Sequence, residues 1–132
     1  MRLWHYKLIP FLPNKMLVSQ WRECISIKRQ WEKGTLKHSL VKYVTNYHRG
    51  YFVYYVDLVA EEMKNRNIKF NFDLYNEIYE FCKLDLLKTF DNYLEHNERY
   101  LKQCYYNLQE KADRGIITTQ EWEKINKNIG VE

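Results

Sequence analysis

The acidic residue Glu23 is the strongest candidate for chemistry, because its helix position lies between an apolar and a polar face. At about 100° per residue, the apolar stripe of this helix is formed by Leu17, Trp21, Cys24 and Ile25. Glu23 projects at the edge of that stripe, beside Met16 and Ile27. A carboxylate at such a boundary is partly desolvated, which favours its protonated form and suits it to proton transfer. An ordinary solvated glutamate at a helix edge is the alternative interpretation.

Basic residues are concentrated in the first part of the chain. Residues 1–56 contain ten Lys or Arg against two acids, whereas residues 57–132 contain eleven against fifteen. The basic stretch comprises Arg22, Lys28, Arg29, Lys33, Lys37, Lys42 and Arg49, with His38 and His48 among them. Such a patch can neutralise several phosphates and bind nucleic acid in a salt-dependent way, without sequence preference. A solvated charged surface with no ligand is the alternative.

The helix that carries Glu23 has a clear start in the sequence. Pro10 and Pro13 favour an extended or turn-like entry, because each lacks an N–H and restrains the residue before it. Asn14 then has the side chain of an N-cap. We therefore expect Asn14 to cap the first long helix.

The rest of the chain also has the spacing of helices. A short second helix is predicted from Leu36, Leu40, Val41 and Val44, and a long one from about Tyr51 to Arg66, after a loop over residues 46–50. Asp73 is predicted to cap a further helix, and Asp91 or Asn92 to open another that ends at Gly115. Thr118 and Glu121 form a capping-box pattern for a last short helix. The predicted fold class is all-α: residues 1–132 form a single compact bundle of about five helices.

Several classes of site and protein are not indicated by the sequence. The four histidines lack a metal-ligand spacing, and the three cysteines (Cys24, Cys82 and Cys104) are widely spaced on apolar helix faces, so we expect reduced core cysteines and no metal. A glycine-rich phosphate loop is absent. No apolar run is long enough for a membrane span, and Lys7, Pro10 and Pro13 interrupt the N-terminal apolar stretch. We expect a cytoplasmic protein without a membrane span or a small-molecule cofactor.

The segment Leu8 to Glu23 resembles the start of the pyrimidine-dimer DNA glycosylases of the phage endonuclease V type. The resemblance rests on Leu12, Leu17 and the step Trp21-Arg22-Glu23. The stretch from Asp57 to Arg66, followed by Ile68, is similar to the central helix of that family. The opening Met1-Arg-Leu-Trp-His5 resembles a bacterial branch of the same superfamily.

The resemblance implies a base-excision activity with an associated abasic-site lyase. In this family the α-amine at the start of the chain attacks C1′ of the damaged nucleotide, and a helix glutamate assists. Glu23 matches that glutamate, and Arg22 matches a residue that would hold a phosphate. The implied partner is double-stranded DNA, contacted by Arg2, Arg22, Lys28, Arg29, Lys33, Lys37, Lys42 and Arg49. An α-amine is less basic than a lysine, so an appreciable fraction is nucleophilic at neutral pH.

The start of this chain departs from the family pattern. The family exposes a small residue by removing the initiator methionine, whereas Arg2 is bulky and is expected to leave Met1 in place. Met1 then becomes the candidate nucleophile. The two alternatives are a water activated by Glu23, or a noncatalytic module that binds DNA or another protein on the same scaffold. Met16 is a second departure, because the family has a polar side chain there.

Overall fold

The computed structural model describes residues 1–83 and 88–130, and this part of the chain is helical and contains no β-strand. Its five α-helices are α1 (Asn14–Glu32), α2 (Gly50–Asn65), α3 (Phe72–Cys82), α4 (Glu98–Asp113) and α5 (Thr119–Ile129). Two short 3-10 helices, Tyr6–Phe11 and Lys42–Asn46, precede α1 and α2. The predicted all-α class is confirmed.

The core forms where α1 packs against α2 and where both contact α3. Leu17, Cys24 and Ile27 of α1 and Phe52 and Val56 of α2 are fully buried. The spacing of these residues is that of a helix with one apolar face, which must be covered for the helix to be stable in water. The three cysteines are free and buried, as expected.

The first five residues form an N-terminal arm without helix or strand, which leads into the 3-10 helix Tyr6–Phe11. Leu3, Trp4 and His5 of this arm are buried, and the 3-10 helix packs against α2 and α5. The start of the chain is therefore an integral part of the core, and its position is fixed by distant elements.

Helix starts differ from the predictions at several places. Pro13 occupies the N-cap position of α1, and the Asn14 side chain instead accepts a hydrogen bond from Arg66. Asn71, two residues before the predicted Asp73, caps α3 by accepting from the backbone N–H groups of residues 73 and 74. The capping box of Thr118 and Glu121 at α5 is confirmed.

The predicted helix start at Asp91 or Asn92 is wrong, because α4 begins only at Glu98, with Asn97 as its N-cap. Before this helix, the chain is not α-helical, and the side chains of Tyr93 and His96 are buried in the core. The second helix, predicted from Leu36 to Val44, is also different: the structure has only the short 3-10 helix Lys42–Asn46 there. Leu40 is 45% exposed, so its apolar side chain does not belong to the stripe from which that helix was predicted.

No helix in the described ranges is long and apolar enough to cross a membrane.

Candidate active site

Glu23 lies on α1 and is partly buried, at the predicted boundary between the core and the solvent. Its carboxylate oxygen Oε2 accepts a hydrogen bond from Nε2 of Gln20 at 3.1 Å. The two residues are three positions apart, so they share one side of the helix. Glu23 is thus held by a neighbouring amide while it keeps contact with solvent.

Gln20 is fully buried and links Glu23 to the N-terminal arm. Its Nε2 also donates to the carbonyl oxygen of Arg2 at 3.0 Å, and its Oε1 accepts from the backbone N–H of Trp4 at 2.7 Å. The hydroxyl of Tyr55 lies 2.6 Å from the Trp4 carbonyl oxygen and 3.0 Å from Gln20 Oε1. One amide therefore contacts both the second residue of the chain and the candidate acid.

The α-amine of Met1 lies 3.5 Å from Nε2 of His38. His38 belongs to the turn after α1, where its Nδ1 accepts from the backbone N–H of Leu40 at 3.3 Å. In the sequence analysis, His38 is assigned only to the basic stretch. The structure adds it as a neighbour of the candidate nucleophile, a contact across 37 residues for which the sequence has no signal.

Arg2 points toward α4 and is partly buried. Its guanidinium lies 5.3 Å from the ring centroid of Trp4, and its Nη1 is 3.9 Å from Sγ of Cys104. The backbone of Arg2 thus meets Gln20, while its side chain packs between the arm and α4.

Four of the predicted DNA-binding residues are exposed and have no ion pair in the described part of the chain: Arg22, Lys33, Lys37 and Lys42. Their charges are free to meet an external anion. They stay predicted phosphate contacts.

Lys28 and Arg29, also predicted to bind DNA, form ion pairs within the protein. Lys28 is only 4% exposed, and its ammonium lies 3.1 Å from Glu32 and 3.3 Å from Glu77. Arg29 donates to Glu77 at 3.1 Å. This hydrogen bond is the main reason why the pKa of Glu77 lies below its usual value. Lys28 follows Leu17, Trp21 and Cys24 on the buried side of α1, which explains its burial.

Arg49, another predicted contact, is held against α3. Its Nη1 donates to the carbonyl oxygen of Phe81 at 3.0 Å, and its guanidinium lies 4.0 Å from the ring centroid of the same residue. A cation in this position is stabilised by the aromatic face.

Two residues from the second half of the chain fix the N-terminal arm and the start of the 3-10 helix that follows it. The buried His96 accepts the backbone N–H of Tyr6 on Nδ1 at 3.2 Å, and its Nε2 lies 2.7 Å from the hydroxyl of Tyr43. Burial lowers the pKa of His96 to about 3, so its ring is neutral. Tyr100 donates to the carbonyl oxygen of Leu3 at 2.6 Å. The sequence did not indicate either role, because both contacts cross about ninety residues.

Within the described residues, no group of three or more His, Cys, Asp or Glu side chains could hold a metal ion. The chemistry available at the arm is that of a primary amine, an imidazole and a partly buried carboxylate. An amine is a nucleophile, and a carboxylate can stabilise a developing positive charge or accept a proton.

Comparison with protein families gives a match to the model described as pyrimidine dimer DNA glycosylase, over residues 1–76. The matched part contains the N-terminal arm, α1, α2 and the start of α3. The searches of curated proteins and of solved structures found no match. With more than half of its length matched by the family model, the chain belongs to the pyrimidine dimer DNA glycosylase family, whose role is DNA repair by removal of damaged bases.

Proposed function

We propose that this protein is a DNA glycosylase with an associated abasic-site lyase activity, acting on damaged pyrimidines in duplex DNA. The α-amine of Met1 is the nucleophile and Glu23 is the assisting acid. The observation that supports this proposal most directly is the Gln20 amide nitrogen, which contacts both the Arg2 carbonyl and the Glu23 carboxylate. A site of this kind needs its amine and its acid within reach of one sugar.

The first step replaces the base by the amine. The amine nitrogen forms a bond to C1′ of the damaged nucleotide, and the C1′–N bond to the base breaks, with its electron pair leaving on the base. The departing base takes up a proton. A carboxylate at Glu23 stabilises the positive charge that develops at C1′.

The second step cleaves the strand. The attached nitrogen loses a proton, and its electron pair then displaces O4′ from C1′. The sugar ring thereby opens to a protonated imine between Met1 and C1′, and O4′ takes up a proton. Glu23 then accepts a proton from C2′, the C3′–O bond breaks, and the 3′ phosphate leaves with that electron pair. Hydrolysis of the imine by water returns the free amine.

Borohydride trapping on duplex DNA with an abasic site tests the acid. Borohydride reduces the imine, so the wild-type protein should give a covalent adduct. Glu23→Gln should lower strand nicking by about a hundred- to ten-thousandfold, the usual contribution of a general acid or base, while DNA binding persists. Glu123→Gln, at an exposed position on α5, is the matched control and should retain nicking.

Peptide mapping of the trapped adduct tests the nucleophile. The adduct should map to Met1, and intact-mass measurement should show that Met1 is present in the active protein. An added N-terminal segment should abolish trapping, because it converts the amine into an amide. A wild-type protein that binds DNA with steep salt dependence but forms no adduct would instead be a noncatalytic DNA-binding module.

A further inference from the structure

Three cavities that share lining residues follow one another along the segment between α2 and α3. The first, of about 530 Å³, lies beside Lys15 and Arg22 and reaches Ile68. The second, of about 400 Å³, shares Ile68 with the first and also contacts Lys64 and Phe72. The third, of about 360 Å³, shares Lys64 and Phe72 with the second. We call the three cavities together the connector groove, because residues of the segment between α2 and α3 line each of them.

The first two cavities of the connector groove are positively charged. Lys15 and Arg22 line one, and Lys64 and Lys69 line the other, while no acidic residue lines either. In the described residues none of these four side chains has an ion-pair partner. Unpaired cations along a groove attract a chain of phosphates.

The far end of the groove has exposed aromatic rings. Phe72 is 61% exposed, although a phenylalanine ring is normally buried. Its ring is stacked on Tyr75, with a centroid distance of 5.8 Å and an angle of 22°. Tyr75 stacks in turn on the exposed Tyr79, at 6.4 Å and 24°. Parallel exposed rings offer flat faces on which unpaired bases can stack.

Acidic residues line the third cavity, so the two ends of the groove differ in charge. Asp57 and Glu61 line it, and Asp57 accepts a hydrogen bond from the hydroxyl of Tyr75 at 2.7 Å. Burial raises the pKa of the Asp57 carboxyl. Phosphates are repelled at this end and attracted to the lysines, so a bound strand would keep its backbone on the lysine side and its bases on the rings.

We propose that the connector groove binds an unpaired stretch of the DNA substrate. Arg22 lines its first cavity and neighbours Glu23 in the sequence, although consecutive residues of a helix point about 100° apart. The bases must be unpaired, because in a duplex their faces are stacked on one another and cannot lie on Phe72. The choice of DNA over other polyanions rests on the proposed function.

Fluorescence anisotropy with labelled, undamaged oligothymidine tests the groove without any chemical step. Phe72→Ala should weaken binding by roughly 5- to 150-fold, the range that corresponds to stacking of one base. Phe72→Leu, which keeps an apolar side chain but removes the flat ring, should weaken it similarly. Tyr106→Ala, which removes an exposed ring on α4, is the matched control and should bind like the wild type.

The lysines are tested by the salt dependence of the same binding. Lys64→Gln with Lys69→Gln should lower the slope of log affinity against log salt by about 0.7 for each phosphate that is no longer neutralised. Lys102→Gln, at an exposed site on α4, should leave the slope unchanged. Unchanged binding in both Phe72 variants, equal losses in the controls, or tighter binding of oligouridine would overturn the proposal.

The two proposals fail in different ways. A wild-type protein that gives a borohydride adduct on a duplex paired everywhere except at its abasic site, but does not bind oligothymidine, would contradict only the groove. A protein that binds oligothymidine through Phe72 but gives no adduct would contradict only the proposed activity.

Discussion

Gln20 shows how much one buried side chain contributes to the candidate site. Both of its N–H groups are used, one for the Arg2 carbonyl and one for Glu23, and its oxygen accepts the Trp4 N–H. Because the Trp4 N–H needs an acceptor and the other two partners need a donor, these contacts also fix the orientation of the Gln20 side-chain amide. No other side-chain hydrogen bond in the described residues joins Glu23 to the N-terminal arm.

We expect Gln20→Leu to lower both stability and activity. Leucine is similar in size but leaves the buried N–H of Trp4 and the carbonyl of Arg2 without this partner, which costs about 1–3 kcal/mol. Urea denaturation measures the loss of stability, and borohydride trapping measures the loss of activity. Gln103→Leu, at an exposed position on α4, is the control. Full trapping by a folded Gln20→Leu protein would contradict a positioning role for Gln20.

At the scale of elements, Arg66 joins the end of α2 to the start of α1. Its guanidinium donates to the carbonyl oxygens of Leu12 at 2.6 Å and Pro10 at 2.9 Å, and to the side chain of Asn14 at 3.0 Å. Its Nε donates to Glu62 at 2.8 Å. The entry to α1 is therefore held by a residue that follows α2, and this entry determines where Glu23 projects.

We expect Arg66→Gln to lower the free energy of unfolding by about 2–3 kcal/mol, because several hydrogen bonds from a charged, largely buried group are removed. Arg66→Lys should recover little of this lost stability, since an ammonium group cannot reproduce the planar arrangement of the guanidinium donors. Urea denaturation checks both variants. Arg114→Gln removes an exposed pair with Glu110, for which about 0.3–0.5 kcal/mol is usual. Equal effects at both arginines would contradict the anchoring role of Arg66.

At the scale of the whole molecule, the second half of the chain completes the part that the family model matches. His96 and Tyr100 lie outside residues 1–76, yet His96 binds the backbone of Tyr6 and Tyr100 binds that of Leu3. The family region and the remainder therefore share one core, and the stability of one depends on the other.

The neutral, buried His96 makes stability depend on pH. Its pKa is about 3 in the folded protein against 6.5 as the ordinary value, so below pH 6.5 the unfolded chain binds a proton that the folded chain does not. The free energy of unfolding should therefore fall as the pH decreases from 6.5 toward 3, by up to about 1.4 kcal/mol per pH unit from this residue. Burial lowers the pKa of His5 as well, which adds in the same direction.

His96→Asn tests this pH dependence, with urea denaturation at pH 7.5 and 5.5. The variant should be less stable at pH 7.5, because asparagine cannot fill the space of the ring, but the difference between the two pH values should shrink. Gln103→Leu, at an exposed site on α4 without a titratable group, should keep the wild-type difference. An undiminished difference in His96→Asn would show that other groups cause the acid sensitivity.

The uneven distribution of charge along the chain leads to a prediction about DNA binding. The exposed lysines 33, 37 and 42 belong to the basic first part of the chain. Their joint replacement by glutamine should lower the salt slope of duplex binding by about 0.9 for each phosphate that is no longer neutralised. The same replacement of lysines 102, 124 and 127 changes the net charge equally and should leave the slope unchanged. Equal slopes in both triple variants would contradict a localised DNA-binding face.

The sequence by itself determined the helical class, the seam position of Glu23, the long helix that became α2 and the capping box of Thr118. It also carried the resemblance that the family match over residues 1–76 bears out. These features depend on spacings of three or four residues along one helix, or on short motifs, and such patterns are local. The start of α4 shows where local patterns fail to predict the structure. The side chains of Tyr93 and His96 are buried in the core, and the helix begins only at Glu98.

Only the tertiary structure decided which polar side chains meet. In the sequence, Lys28 is one of several basic residues. In the structure it lies on the buried side of α1, where its ammonium forms an internal ion pair with Glu77. Gln20 has no distinguishing pattern until the N-terminal arm packs against it. The contacts of His96 with Tyr6 and of Met1 with His38 join residues far apart in the chain. Such contacts depend on how helices pack, and the periodicity of a single helix carries no information about them.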